Sequence, residues 1–138
     1  MIRERHVIRM KIPFPSIGSE LASSPHMYIC IKSASPEYRF VKCQTLKPYM
    51  LIKATMKNYC DEKPDIARNP FSKTTRIDCD KVFCTSGDEY DEKLLTTSRP
   101  DICEDLFSET QRRLTDYEDV YLKEGELLSL NVFISIRK

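Results

Sequence analysis

The sequence predicts an α+β domain built on a small, mostly antiparallel sheet or barrel, with helices packed on it from the C-terminal end. Three observations carry that expectation. Short apolar runs with strand-like alternation fill the first half of the chain, and breakers separate them at intervals typical of hairpins. The first clear helical stripe comes only near residue 100. With 138 residues, 41% hydrophobic and 31% charged, the chain suits a single domain spanning 1–138, with strands mainly over 6–85 and a helical tail over 98–138.

The elements follow in order. Residues 6–12 alternate weakly through Val7, Ile8, Met10 and Ile12 and stop at the breaker Pro13-Phe14-Pro15. A small, polar loop over 16–25 holds Gly18 and Pro25. Residues 26–32 form an apolar run whose Tyr28 and two isoleucines favour a buried strand. A turn over 33–36 leads into 38–45, the hairpin partner, which places Tyr38, Phe40 and Lys42 against Arg39, Val41 and Cys43. Residues 49–57 fit a strand or a short helix equally. Residues 58–73, polar and broken by Pro64 and Pro70, read as a loop long enough to be functional. Strand character returns over 74–85, and 87–97 reads as exposed. Ser98 then reads as a helix N-cap, with Pro100 in the first turn and Asp101 in the capping-box position. Ile102, Leu106, Phe107, Thr110 and Leu114 make the apolar stripe. Residues 124–138 fit helix or strand. Glu124 at the front and Arg137-Lys138 at the end favour a helix through its dipole.

Composition excludes several classes. Twenty-two basic and 21 acidic residues leave a net charge of +1, too little for a binder that works by bulk charge, although a local basic groove stays open. No apolar run approaches the ~18 residues of a membrane span, and the first fifteen residues contain no signal-peptide core. A cytoplasmic protein without membrane contact is expected. Six cysteines are many for this length. In such a compartment they are expected as thiols, several acting as small hydrophobes inside strands. No Cys-x-x-Cys pair occurs, and His6 and His26 lie far apart, so neither a metal nor a cofactor is expected.

No Walker loop, dinucleotide fingerprint, nucleophile elbow or zinc-protease helix is present. The candidate chemistry is scattered over strand ends. His26 opens a strand and can give or take a proton near neutral pH, or simply hydrogen-bond there. Gln44, Thr45 and Lys47 close the next strand, where a hydroxyl and an ammonium can grip a phosphate or merely meet solvent. Alternation puts Arg76, Asp78 and Asp80 on one face of a later strand. They fit a surface ion-pair ladder, or a site where Arg meets phosphate and a carboxylate manages a proton.

The order of these features resembles the MazF/PemK/Kid family of toxin endoribonucleases. Ile12-Pro13-Phe14-Pro15, Gly18-Ser19-Glu20 and the apolar strand after them match the family's opening. Cys43-Gln44-Thr45 is similar to its hydroxyl-bearing strand end, and Arg76-Ile77-Asp78 with Asp80-Lys81 to its later Arg-x-Asp strand. The likeness runs over about residues 6–114. It implies an SH3-like antiparallel barrel with C-terminal helices, usually a homodimer restrained by an antitoxin. It also implies metal-independent cleavage of single-stranded RNA, by attack of a ribose 2′-hydroxyl on the adjacent phosphate. Arg76 matches the family's acid or phosphate stabiliser, Asp78 its proposed base and Thr45 its phosphate-contacting hydroxyl. Gln44, Lys47 and Asp80 would line the RNA. Where the family has Arg before Pro, this chain has Ser24 before Pro25, or Pro25 before His26 if the gap moves by one, and His26 is the nearest replacement. A non-catalytic module binding nucleic acid or protein on the same barrel is the other expectation.

Overall fold

The computed structural model describes residues 2–12, 25–34, 36–52, 56–123 and 125–136. The motif segments Pro13-Phe14-Pro15, Gly18-Ser19-Glu20 and Ser24 lie outside them. The first strands form where alternation and the apolar run over 26–32 predict them: β1 (Val7–Met10), β2 (His26–Ala34) and β3 (Glu37–Thr45). β2 and β3 pair as the expected hairpin, from Met27↔Cys43 to Ala34↔Glu37, with an irregularity between Cys30 and Lys32. A short helix, α1 (Pro48–Ile52), follows. Next come β4 (Tyr59–Glu62), β5 (Thr75–Asp78), β6 (Lys81–Ser86), β7 (Asp88–Tyr90), a 3₁₀ turn (Glu92–Leu94), α2 (Glu104–Arg113), β8 (Glu118–Tyr121) and β9 (Ile134–Ile136).

β3 is the hub. One edge pairs β2, while the other is divided, with residues 43–45 pairing β5 and residues 37–40 pairing β6. β1 and β4 extend the sheet on either side, and β8 joins β6 in parallel. The result is a seven-stranded, mostly antiparallel sheet with an α+β character. Being paired on both edges, β3 is buried from Phe40 to Cys43.

Two cores lie on opposite faces. Ile8, Met10, Tyr28, Phe40 and Phe83 face Tyr90, Leu94, Leu127 and Ile134 on one side. Val7, Ile29, Val41, Ile77 and Val82 face Ile102 and Leu106 of the α2 region on the other. Five of the six cysteines are buried, all six are free thiols, and Cys103 is half-buried.

Four expectations need correction. The 58–73 loop contains a strand, β4, because the free edge of β5 recruits its polar residues. β5 stops at Asp78, so 74–85 is two strands. The segment over 87–97 is largely structured: β7 pairs β9, and Asp88, Tyr90, Leu94 and Thr96 are buried. α2 begins at Glu104 with Cys103 as its cap, five residues later than the Ser98 signal. The backbone over 98–102 is instead engaged beside β1, where Val7 N–H donates to Pro100 O (2.8 Å) and Ile102 N–H to Arg5 O (2.9 Å). That tertiary pairing outweighs a local capping box worth about 1 kcal/mol.

The tail also departs from its helical expectation among the described residues, with turns leading to β9. Gly125, at φ 79°, takes a left-handed conformation that suits glycine. Asn131 exchanges two 2.8 Å hydrogen bonds with the Lys11 backbone, which fixes the tail against the strand end. The charged ends that favoured a helix, Glu124 and Arg137-Lys138, lie outside the described residues.

Candidate functional site

The face of β3 that carries Tyr38 and Phe40 into the first core continues, by alternation, to Lys42 and Gln44. Gln44 pairs with Arg76, and Arg76 with Asp61, so one polar rung crosses β3, β5 and β4. Tyr28 pairs with Lys42, and Tyr59 with Asp78. The apolar face therefore gives way at this end of the sheet to Lys42, Gln44, Arg76, Asp78 and Asp61. His26, two residues before Tyr28 on the same side of β2 and opposite Met10, borders the group and is half-buried.

Arg76 is 3% exposed. Its Nε and Nη2 donate to the two carboxylate oxygens of Asp61 at 2.7 and 2.9 Å, and Nη1 donates to Met50 O at 3.3 Å. The guanidinium lies 3.8 Å over the Tyr59 ring. A planar fork held on both sides and stacked below is the geometry for which Arg is suited and Lys is not. The ion pair so formed is bidentate, with its guanidinium buried and its carboxylate partly exposed, and that carboxylate comes from β4 rather than from Asp78 or Asp80.

Asp78 is 7% exposed and accepts a hydrogen bond from Asp80 N–H at 2.8 Å. Burial pushes its carboxyl above the usual range and repulsion from Asp80 adds to this, while the Asp80 N–H, Lys81 and Lys42 oppose it. Lys42, 9% exposed, is shifted the other way. Burial lowers its ammonium, with Asp78 opposing and Lys81 reinforcing. Two oppositely charged groups are each pushed toward their neutral forms, the condition under which one can accept and the other release a proton. Beside Lys42, the Tyr28 hydroxyl is fully buried with no hydrogen-bond partner among the described residues, and burial raises its pKa so that it stays a neutral phenol.

The remaining expected residues separate. Thr45 falls on the opposite face of β3, paired with Thr75. Lys47 is exposed beyond the strand and opens α1, where Met50 N–H donates to its carbonyl at 3.0 Å. Asp80 is not on the strand with Arg76 and Asp78. Its carboxylate accepts from the backbone N–H groups of Lys57 (2.7 Å) and Asn58 (2.9 Å) and anchors the entry to β4. The i to i+2 bond from the Asp78 carboxylate to Asp80 N–H ends the strand in a turn and rotates Asp80 out of alternation.

Sequence reasoning missed Asp61, Tyr59 and the part played by Lys42. A lysine in the inward phase of an apolar strand was the available signal for Lys42. Asp61 had none, since its strand exists only by pairing. A separate surface cavity of about 560 Å³, lined by Arg3, Arg5, His6, Asp101 and Glu104 among others, shares no residue with this group. Among the described residues no three His, Cys, Asp or Glu side chains converge to hold a metal ion, and no helix is long and apolar enough to cross a membrane.

Compared with known proteins, the chain matches no family model, and no curated protein or solved structure shows significant similarity to it.

Proposed function

We propose that the chain is a metal-independent endoribonuclease of the toxin type it resembles, acting on single-stranded RNA through the polar end of the sheet face around Asp78 and Lys42. The observation that supports this reading is the buried pair itself: a carboxyl pushed up and an ammonium pushed down, on one face with Gln44 and His26. Asp78 takes the proton of the ribose 2′-hydroxyl, which then attacks the adjacent phosphorus. Lys42 donates toward the phosphate and the leaving 5′-oxygen. The products are a 2′,3′-cyclic phosphate and a 5′-hydroxyl. Gln44 and His26 contact the RNA at the border of the group, with the exposed Lys47 beyond the strand end farther along its path. Arg76 holds β4 on β5 through Asp61 and is a positioning residue. In this proposal the sheet is a variant of the family's SH3-like barrel, and the protein works in the cytoplasm as a homodimer restrained by an antitoxin.

The test is cleavage of mixed-sequence single-stranded RNA, with the product ends identified by mass spectrometry, for wild type, Asp78→Asn and Lys42→Met. Each variant should keep wild-type circular dichroism and lose about 10²- to 10⁴-fold in rate, the usual contribution of a general acid or base. Folded variants that cleave like wild type would sink the assignment. A second reading, a module that binds without cutting, is favoured by one observation: the Arg76 guanidinium is engaged by Asp61 and Met50 O and offers no fork to a phosphate. Wild-type protein that retains RNA without cutting it would select that reading.

A further inference from the structure

The end of the sheet where β3 leaves for α1 carries a surface outside the reacting group around Asp78 and Lys42. Thr75 of β5 pairs with Thr45 of β3 on one side and with Glu62 of β4 on the other. One step beyond that rung, Leu46 N–H donates to Thr74 O at 2.9 Å. The chain then places Lys47 past the end of β3, Lys73 before the start of β5 and Lys63 after the end of β4. Three exposed lysines therefore stand at the ends of three adjacent strands, which run about 4.8 Å apart. None of the three forms an ion pair among the described residues. The nearby carboxylates are already engaged: Glu62 by Arg68 and Asn69, Asp61 by Arg76, and Asp65 by Ala67 N–H.

Next to these charges lies an apolar surface. α1 starts beside Lys47 and is anchored at the polar rung, where Met50 O accepts from Arg76 at 3.3 Å. The helix has no buried residue: Tyr49 is 63% exposed, Leu51 69% and Ile52 85%. So short a helix has no stability of its own. Here it holds an aromatic ring and two aliphatic side chains in water on the way from the lysines to the polar rung, and a cluster of exposed apolar side chains marks a place of interaction. This is a sheet end and not an edge, so it offers no row of main-chain donors and acceptors, and a peptide cannot bind by adding a strand. What it offers is a row of point charges beside exposed apolar side chains, which suits a flexible polyanion carrying flat rings.

We propose that Lys47, Lys63 and Lys73 hold successive phosphates of single-stranded nucleic acid, with a base stacked on the exposed ring of Tyr49. The inference deepens the nuclease reading and rests on it for the position of the scissile bond at Asp78 and Lys42, whereas the binding itself needs no cleavage. Lys73 precedes Asp78 by five residues, a reach of about 17 Å in a strand, so the track engages nucleotides to one side of the reacting phosphate and not that phosphate itself. An ammonium is a point charge without the planar fork of Arg, and stacking on an aromatic ring accepts every base. The track therefore supplies affinity and direction without reading sequence. Its signature is salt dependence: each phosphate neutralised on a single strand steepens the fall of log K with log salt by about 0.7, which makes about 2 for the three lysines.

The experiment titrates the full-length protein into a short fluorescein-labelled 2′-O-methyl oligouridine and reads anisotropy at a series of salt concentrations. The blocked 2′-oxygen cannot attack, so binding is read apart from cleavage. Replacing Lys47, Lys63 and Lys73 together by Ala should flatten the salt slope by about 2, and each single replacement by about 0.7. Tyr49→Ala should weaken binding about 5- to 150-fold at an unchanged slope, and Tyr49→Phe should restore it. Lys93→Ala, at an exposed lysine over Phe133, should change neither. An oligonucleotide that does not bind, a slope that the triple variant leaves in place, or equal flattening by Lys93→Ala would overturn the proposal. So would tighter binding of poly-L-glutamate, which would give the surface to an acidic protein segment. If the triple variant loses its wild-type circular dichroism, the three single variants decide. The expected slopes in a protein that cuts no RNA keep the track and end the nuclease reading; RNA cleavage by a protein whose slope these lysines do not set does the reverse.

Discussion

Removing the Asp61 carboxylate should destabilise the protein more than removing its buried partner. Arg76 has a side chain only 4% exposed, whereas that of Asp61 is 32% exposed. In Asp61→Ala the guanidinium keeps one hydrogen bond, to Met50 O, and its stacking on Tyr59. It loses both charge-assisted bonds in a place water reaches poorly. Two unit charges about 4 Å apart attract by about 4 kcal/mol at an effective dielectric constant of about 20, and stranding a buried charge costs about 3–5 kcal/mol. Because Asp61 is itself partly solvated, the lower end applies, about 3 kcal/mol. For a chain of this size that lowers Tm by about 10 °C. Arg76→Met keeps most of the buried stem, and the Asp61 left behind can hydrate. Its cost should be about 1–2 kcal/mol. Urea unfolding of wild type, both single variants and the double variant measures these costs and the coupling between the sites. The reasoning fails if Asp61→Ala lies within about 1 kcal/mol of wild type, or if Arg76→Met is the costlier change.

Two further outcomes are expected. The pH profile of kcat/KM for RNA cleavage should be a bell narrowed from both sides. The raised Asp78 carboxyl moves the acid limb above the usual carboxylate value of about 3.9, and the lowered Lys42 moves the basic limb below about 10.4. Asp78→Asn should abolish the acid limb, and a limb left in place would assign it to another group. Cleavage should change by no more than about twofold on addition of a strong chelator, since side chains supply the phosphate stabilisation; loss of the activity would place a metal in the mechanism.

The same pair has a consequence for stability. Asp78 holds its proton to a higher pH folded than unfolded, so its contribution falls as pH rises from the unfolded carboxylate value through the folded one. Lys42 gives up its proton at a lower pH folded than unfolded. Its folded-state penalty is therefore full below the folded value and relieved as pH rises toward the unfolded one. Burial disfavours the charged form of both groups.

The local signals legible in the sequence were those in which a residue's own neighbours decide its state. Weak alternation over 6–12, an apolar run over 26–32 and alternation over 38–45 mark three strands, which form as Val7–Met10, His26–Ala34 and Glu37–Thr45, because strand-like patterning is a property of the segment itself. The hairpin follows, since a short turn leaves the second strand little else to pair with. The stripe of Ile102, Leu106 and Thr110 likewise finds its buried face. Arg76 and Asp78 were correctly placed on a common face, and Lys42 was visible in its inward phase.

Tertiary structure decided everything that depends on an edge being filled. β4 is too short and polar to announce itself, and it is a strand because β5 would otherwise leave backbone groups unpaired. The choice of Asp61 over Asp78 and Asp80 as the partner of Arg76 follows from that pairing, which sets Asp61 directly across the ladder. The start of α2 and the fate of the tail follow the same rule, with backbone over 98–102 engaged beside β1 and 134–136 paired with β7. Propensity and capping act within one turn and are worth about 1 kcal/mol. A hydrogen-bonded ladder with a buried face outweighs them, and its partner can lie a hundred residues away in the chain.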